Sequence, residues 1–152
     1  MKDLYADIRT PLTPYQRDLA EKLKASHGVV AFWGTGKGKS LGAINAQEEL
    51  GEPTEIVTPA ALQENYRKEL LKHTGRIPKD MRIRSYERAV RDADTEPLNT
   101  NGLVIFDEAH RGRNNGTGAS DLLREARRAK YRLLLTGSAI YNQIGRASCR
   151  ER

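Results

Sequence analysis

The stretch Val29-Val30-Ala31-Phe32-Trp33-Gly34-Thr35-Gly36-Lys37-Gly38-Lys39-Ser40 decides how the rest of the chain is read. Its apolar run has no polar alternation, which predicts a strand covered on both faces. Glycines then recur at every second position, and a helical pattern begins at Ser40. A glycine-rich turn between a buried strand and a helix can curl its N–H groups around phosphate oxygens, and the helix N-terminus adds partial positive charge. Gly34, Thr35, Gly36, Lys37 and Gly38 form that candidate cradle, Lys39 is placed to reach the β- and γ-phosphates, and the Ser40 hydroxyl suits Mg²⁺. Position 33 is Trp rather than Gly, so the loop fits the short form GxGK[ST] and not GxxxxGK[ST]. The bland alternative is a glycine-rich turn with incidental lysines.

Outward from this stretch, strand and helix signals alternate. Thr13 as N-cap, Pro14 at the first helical position and Gln16 at capping-box spacing open a helix that Gly28 is expected to close. Ser40 to Leu50 reads as a helix ending at Gly51, Glu55 to Thr58 as a short strand, and Pro59 to about His73 as a helix. A weaker extended piece at Arg82 to Ser85 leads to a small helix from Tyr86 to Arg91 and a loop over 92–102. Leu103 to Phe106 is a fully apolar strand, Ser120 to Ala129 a helix, and Tyr131 to Thr136 a further strand. The repeat implies an α/β fold, a parallel sheet with helices on both faces.

The apolar strand at 103–106 ends in Asp107, Glu108, Ala109 and His110. In parallel α/β sheets ligands collect at the carboxyl ends of strands, so this tetrapeptide and the glycine-rich loop are expected side by side. Asp107 would then join Ser40 in holding Mg²⁺, and Glu108 would polarise the water that attacks the γ-phosphate of ATP. An acid-rich helix start is the competing explanation for the tetrapeptide alone.

Composition narrows the class. The chain has 152 residues with 26 Lys and Arg against 20 Asp and Glu, a formal net charge of +6 and a pI of about 9.6. That length suits one domain. No run approaches the roughly 20 apolar residues of a membrane span, and MKDLYADIRT lacks the apolar core of a secretion signal. A soluble, cytoplasmic protein with no membrane partner is expected. One cysteine and three histidines exclude a disulfide scaffold and a zinc-folded minidomain. Ile144 to Arg152, IGRASCRER, fits nothing before it and resembles a translated sequencing adapter; the natural frame is expected to occupy residues 1–143, with 144–152 a non-native tail. Two basic stretches remain: Arg82, Arg84, Arg88 and Arg91, then Arg111, Arg113, Arg124, Arg127, Arg128 and Lys130. A solvated face is the usual meaning of such runs.

With both strand-end motifs in view, the chain resembles the first RecA-like motor domain of superfamily 2 helicases and translocases. The likeness is closest to the Swi/Snf-like branch, carries DEAH, and extends over residues 12 to 142. LTPYQ looks like the Q motif, whose glutamine, here Gln16, recognises adenine; the same residue serves equally well at the helix N-terminus. VTPAALQENYRKEL is similar to motif Ia and RSYER to the next backbone-contacting motif, which implies nucleic-acid contacts at Thr58, Pro59, Arg84 and Ser85. LLLTGSAIYN resembles motif III, which couples hydrolysis to movement, through Thr136, Gly137 and Ser138. His110 would bridge motifs II and III or simply cap the turn. Ala139 in place of proline and Trp33 depart from the family pattern.

The resemblance implies an ATP- and Mg²⁺-dependent helicase or translocase lobe, Lys39, Asp107, Glu108 and His110 carrying catalysis. It implies a nucleic-acid partner, with duplex DNA favoured, and a second RecA-like lobe in cis that is missing here. The short loops suit a bacterial or phage enzyme. A nucleotide-gated DNA- or protein-binding module without motor activity is the alternative; a small-molecule kinase is disfavoured by the DEAH and TGSA segments.

Overall fold

A computed structural model describes residues 14–32, 39–109 and 118–136. Pro14 begins α1 (Pro14–Ser26), as its fixed φ favours. The helix stops one residue earlier than expected. His27 takes a left-handed φ of 66° and its N–H donates to the Leu23 carbonyl at 2.8 Å, while Gly28 opens β1 (Gly28–Phe32). A histidine tolerates that turn because its ring is held: Nδ1 lies 3.0 Å from the Lys130 carbonyl, and the ring stacks on Tyr131 with centroids 4.9 Å apart.

The chain continues through α2 (Lys39–Leu50), β2 (Thr54–Thr58), α3 (Gln63–Thr74), β3 (Met81–Ser85), α4 (Tyr86–Arg91), β4 (Leu103–Phe106), α5 (Ala119–Glu125) and β5 (Tyr131–Thr136). Two expected helices are shorter than their sequence pattern. Pro59 has an extended ψ of 142°, so a 3₁₀ turn at Ala60–Leu62 precedes α3. The segment after β4 is α-helical only to Glu125 and closes with a 3₁₀ turn at Ala126–Arg128. Such tight turns at helix ends satisfy backbone groups that the α pattern leaves over.

The sheet has the order β1-β5-β4-β2-β3 and every pairing is parallel. The expected α/β class, with helices on both faces, is what is seen. On one face, Ala31, Ile56, Leu103, Ile105, Leu133 and Leu135 bury against Leu19 and Leu23 of α1, Ala43 and Ala46 of α2, and Tyr66 of α3. On the other, Val57, Val104 and Phe106 bury against Tyr86 and Ala89 of α4 and Leu122 of α5. Each apolar strand residue thus alternates between two covered faces, which is why the runs show no polar alternation. No helix among the described residues is long and apolar enough to cross a membrane.

Between β2 and β4 the backbones come close. The Leu103 N–H donates to the Pro53 carbonyl at 2.9 Å, and a Cβ on the preceding Gly102 would stand 2.0 Å from that same oxygen. Gly102→Ala is therefore expected to cost about 1–3 kcal/mol, because backbone must shift to admit the methyl group. Urea unfolding of the two proteins checks it; equal stability would show that the strand entrance can relax.

Candidate functional site at the carboxyl edge of the sheet

Strand register brings the candidate residues together. Phe32, which precedes the glycine-rich loop, pairs with Thr136 at the end of β5, and Thr58 pairs with Ser85. β4 pairs Phe106 with Leu134 of β5 on one side and with Val57 of β2 on the other, so Asp107 emerges at the same edge. Only β5 separates β1 from β4, a gap of about 10 Å at ordinary strand spacing. α2, which begins at Lys39, packs on the face that carries Ile105, and Asp107 continues that alternation.

Asp107 is 2% exposed and held from several elements. Its N–H donates to the Val57 carbonyl at 2.8 Å, and its carbonyl accepts from the Tyr86 hydroxyl at 2.8 Å. Its Oδ2 accepts from Thr58 Oγ1 at 3.1 Å. The Tyr66 hydroxyl, from α3, is buried beside this carboxylate. Burial, and after it the charge of Asp107, pushes the Tyr66 phenol well above its ordinary value; burial and then Asp107 and Glu108 do the same for Tyr86. Both tyrosines therefore remain neutral donors.

Glu108, directly after Asp107 and partly exposed, has a φ of 51°. A left-handed non-glycine residue costs roughly 1–2 kcal/mol, and such outliers concentrate at functional sites. The turn breaks strand alternation just where two carboxylates would otherwise continue along β4.

The residues fit a magnesium–nucleotide pair by the chemistry of their donors. Asp107 supplies a hard carboxylate and Ser40 a hydroxyl at the start of α2, on the same face of the sheet. Mg²⁺ typically takes only one or two protein oxygens and completes its shell with water and phosphate. Among the described residues no group of three or more His, Cys, Asp or Glu could hold a metal. Gly34, Thr35, Gly36, Lys37, Gly38, His110, Gly137 and Ser138 lie outside the described residues, as do Trp33 and the 144–152 tail; Lys39 is described only as the first residue of α2. Thr136 is buried at the end of β5.

The four residues at which nucleic-acid contacts are expected, Thr58, Pro59, Arg84 and Ser85, are all buried. Arg84 is 3% exposed, and its Nε donates to Glu55 Oε2 at 2.6 Å and its Nη1 to the Glu96 carbonyl at 2.8 Å. A guanidinium committed in this way inside the protein is not available to a phosphate. Ser85 caps α4 by accepting from the Arg88 N–H at 3.1 Å, and Thr58 is bound to Asp107. Gln16 is buried between α1 and α2, where its carbonyl accepts from Asn45 at 3.4 Å. The second basic stretch contains exposed arginines, with Arg124 beside Asp121 and Lys130 bound to Glu52.

Sequence reasoning missed Tyr66, Tyr86 and Glu55. A tyrosine at helical spacing gives no sign of what its hydroxyl meets. Glu55 did leave a trace: it is an acid inside a strand too short and apolar to be a surface strand.

No family model matches the chain. A protein described as putative DNA 3'-5' helicase Rad25 from Halobacterium salinarum is 26% identical over 123 residues, which is 70% of this chain and 20% of that protein. Its counterpart of the same description from Haloarcula marismortui is 28% identical over 120 residues, 68% of this chain and 19% of the relative. The ISWI chromatin-remodeling complex ATPase ISW2 of Saccharomyces cerevisiae is 27% identical over 127 residues, 68% of this chain and 11% of the relative. The solved Sulfolobus solfataricus SWI2/SNF2 ATPase core in complex with dsDNA matches in fold with a TM-score of 0.76 at 22% identity, covering 94% of this chain and 35% of that one. In sequence and in fold the chain resembles a Swi/Snf-like lobe of helicase superfamily 2. The chain spans a fifth or less of these curated relatives. They are archaeal and yeast proteins, so the expectation of a bacterial or phage source finds no support.

Proposed function

We propose that the lobe binds MgATP and hydrolyses it as half of a nucleic-acid-dependent motor, a DNA helicase or translocase. The observation that carries this reading is the meeting of the glycine-rich loop's two flanks, β1 and α2, with Asp107 and Glu108 at one edge of the sheet. Lys39 would bind the β- and γ-phosphates, and Ser40 and Asp107 would hold Mg²⁺. The ion, when bound, neutralises charge that develops on the phosphates. Glu108 would take the proton of the attacking water. Thr136 ends β5, the strand between β1 and β4, and would pass the nucleotide state onward through motif III.

The second lobe and its arginines belong to the same proposal. An arginine supplied to the γ-phosphoryl group raises the rate by roughly 10³–10⁵ in related enzymes. Residues 1–143 alone are accordingly expected to bind ATP weakly and turn it over very slowly. For the nucleic-acid partner, Arg88 and Arg91 of α4 are exposed cations among the described residues, 59% and 73% exposed beside Asp92. Phosphate contacts through these residues would each lower the salt dependence of DNA binding by about one ion when removed.

The test combines binding and turnover. A fluorescent ADP should bind with Mg²⁺ dependence, and Lys39→Ala should abolish that binding. Duplex DNA should bind with a salt slope that Arg88→Ala and Arg91→Ala reduce. Absence of nucleotide binding would sink the proposal, and brisk DNA-stimulated hydrolysis by the lobe alone would refute its dependence on a second lobe.

A further inference from the structure

Thr58 lies in the segment whose sequence resembles a nucleic-acid-contacting motif, yet its hydroxyl is spent on Asp107. Thr58 is completely buried, and Oγ1 donates to Asp107 Oδ2 at 3.1 Å. The backbone of the acid is fixed separately by Val57 and by the Tyr86 hydroxyl. The bond from Thr58 therefore adds nothing to the position of the Asp107 main chain; what it sets is the rotation of the carboxylate.

Tyr66 stands on the same face of the sheet, one helix away in sequence. Its hydroxyl is buried and meets no hydrogen-bond partner of good geometry among the described residues, although it lies beside Asp107. An unpartnered buried hydroxyl costs about 1–3 kcal/mol, and a phenylalanine would fill the same space without that cost. A donor held beside a carboxylate in such a place is matched to a partner that arrives with the ligand: the carboxylate in its metal-bound rotation or a water of the metal's shell.

We infer that Thr58 and Tyr66 are positioning residues that hold the Asp107 carboxylate for Mg²⁺. This rests on the reading of Asp107 as the metal-binding acid. It also gives the 57–70 segment a direct hold on the nucleotide site, since Thr58 ends β2 and Tyr66 rides on the helix that follows. A displacement of the end of β2 is passed to the acid directly through the Thr58 hydroxyl.

The experiment measures the Mg²⁺ concentration that gives half of the magnesium-dependent gain in fluorescent-ADP binding to the full 152-residue chain. Loss of a metal-ligand's hydrogen-bond partner typically weakens metal binding about 10–100-fold. Thr58→Val should raise the half-effect concentration by about tenfold or more, Thr58→Ser should restore it, and Tyr66→Phe should raise it a few-fold. Nucleotide affinity without magnesium should stay within about twofold in all three, which a general loss of structure would not allow. If the wild-type chain shows no magnesium-dependent binding, the reading of Asp107 falls and this inference with it. If the wild type shows it and both Thr58→Val and Tyr66→Phe match the wild type, only the inference is overturned. Should Thr58→Val fail to fold, Tyr66→Phe decides: it keeps the packing, and an unchanged half-effect overturns the inference.

Discussion

Glu55→Gln is expected to remove about 3–5 kcal/mol of folding stability. Glu55 is fully buried in β2 and gathers four donors: Arg82 Nε at 3.0 Å, Arg82 Nη2 at 2.6 Å, Arg84 Nε at 2.6 Å and the Asn99 N–H at 3.0 Å. Glutamine keeps the shape but removes the charge. Arg84, whose side chain is 4% exposed, is then a buried cation without a counter-ion, whereas Arg82 at 35% can turn to solvent. The cost arises mainly from the abandoned Arg84. Total stability of a domain this size is of order 5–15 kcal/mol, so the change is visible in any urea titration. Replacing Arg84 with leucine in the same chain should recover part of the loss, because the two sites couple by roughly 0.5–3 kcal/mol. A loss below about 1 kcal/mol for Glu55→Gln would show that water reaches the cluster and screens it.

Glu108→Gln should slow ATP hydrolysis by roughly 10²–10⁴-fold and leave nucleotide binding within a few-fold of wild type. The residue follows Asp107, is partly exposed, and has the left-handed φ of 51° that takes it out of the strand's alternation. Glutamine retains length and backbone preference while removing the group that accepts a proton. Glu108→Gly should be equally slow, yet it should not lower stability through strain, since glycine adopts that φ freely. Single-turnover hydrolysis with the chain in excess separates chemistry from product release. Hydrolysis at the wild-type rate by Glu108→Gln would remove Glu108 from the reaction, and a large loss of binding would make it a ligand instead of a base.

Much of the fold could be read from local pattern. The unalternating runs at 29–33 and 103–106 gave two covered strands, and Pro14, Gly51 and Gly75 punctuate helices in the way their backbone preferences dictate. The candidate carboxyl-edge site could be proposed for the same reason: each of its sequence motifs is contiguous and follows a strand signal. What could not be read was anything that depends on which strands are neighbours. Arg84 resembled a surface phosphate ligand because arginine is seldom buried unless paired. Its partner Glu55 lies on the next strand, where Arg82 faces Glu55 and Arg84 faces Val57. The bond from Thr58 to Asp107 was hidden likewise, since β2 and β4 are adjacent in space and separated in sequence by α3, β3 and α4. The left-handed turn at His27, in place of the expected one at Gly28, depends on a carbonyl from residue 130 and a ring from residue 131.

The strand order has a consequence for how the chain is born. β1 is synthesised first and β5 last among the described strands, yet β5 lies between β1 and β4. While a ribosome is still making residues 131–136, β1 has no lateral neighbour among the other described strands, and β4, β2 and β3 can join only as a separate half-sheet. Both halves then show bare strand edges and apolar faces, the features that recruit chaperones or invite aggregation. Translation pauses between residues 109 and 131 would prolong that exposure, and a faster passage through those codons would shorten it. Yield in cells is then expected to respond to the tempo of synthesis as well as to the stability of the finished fold.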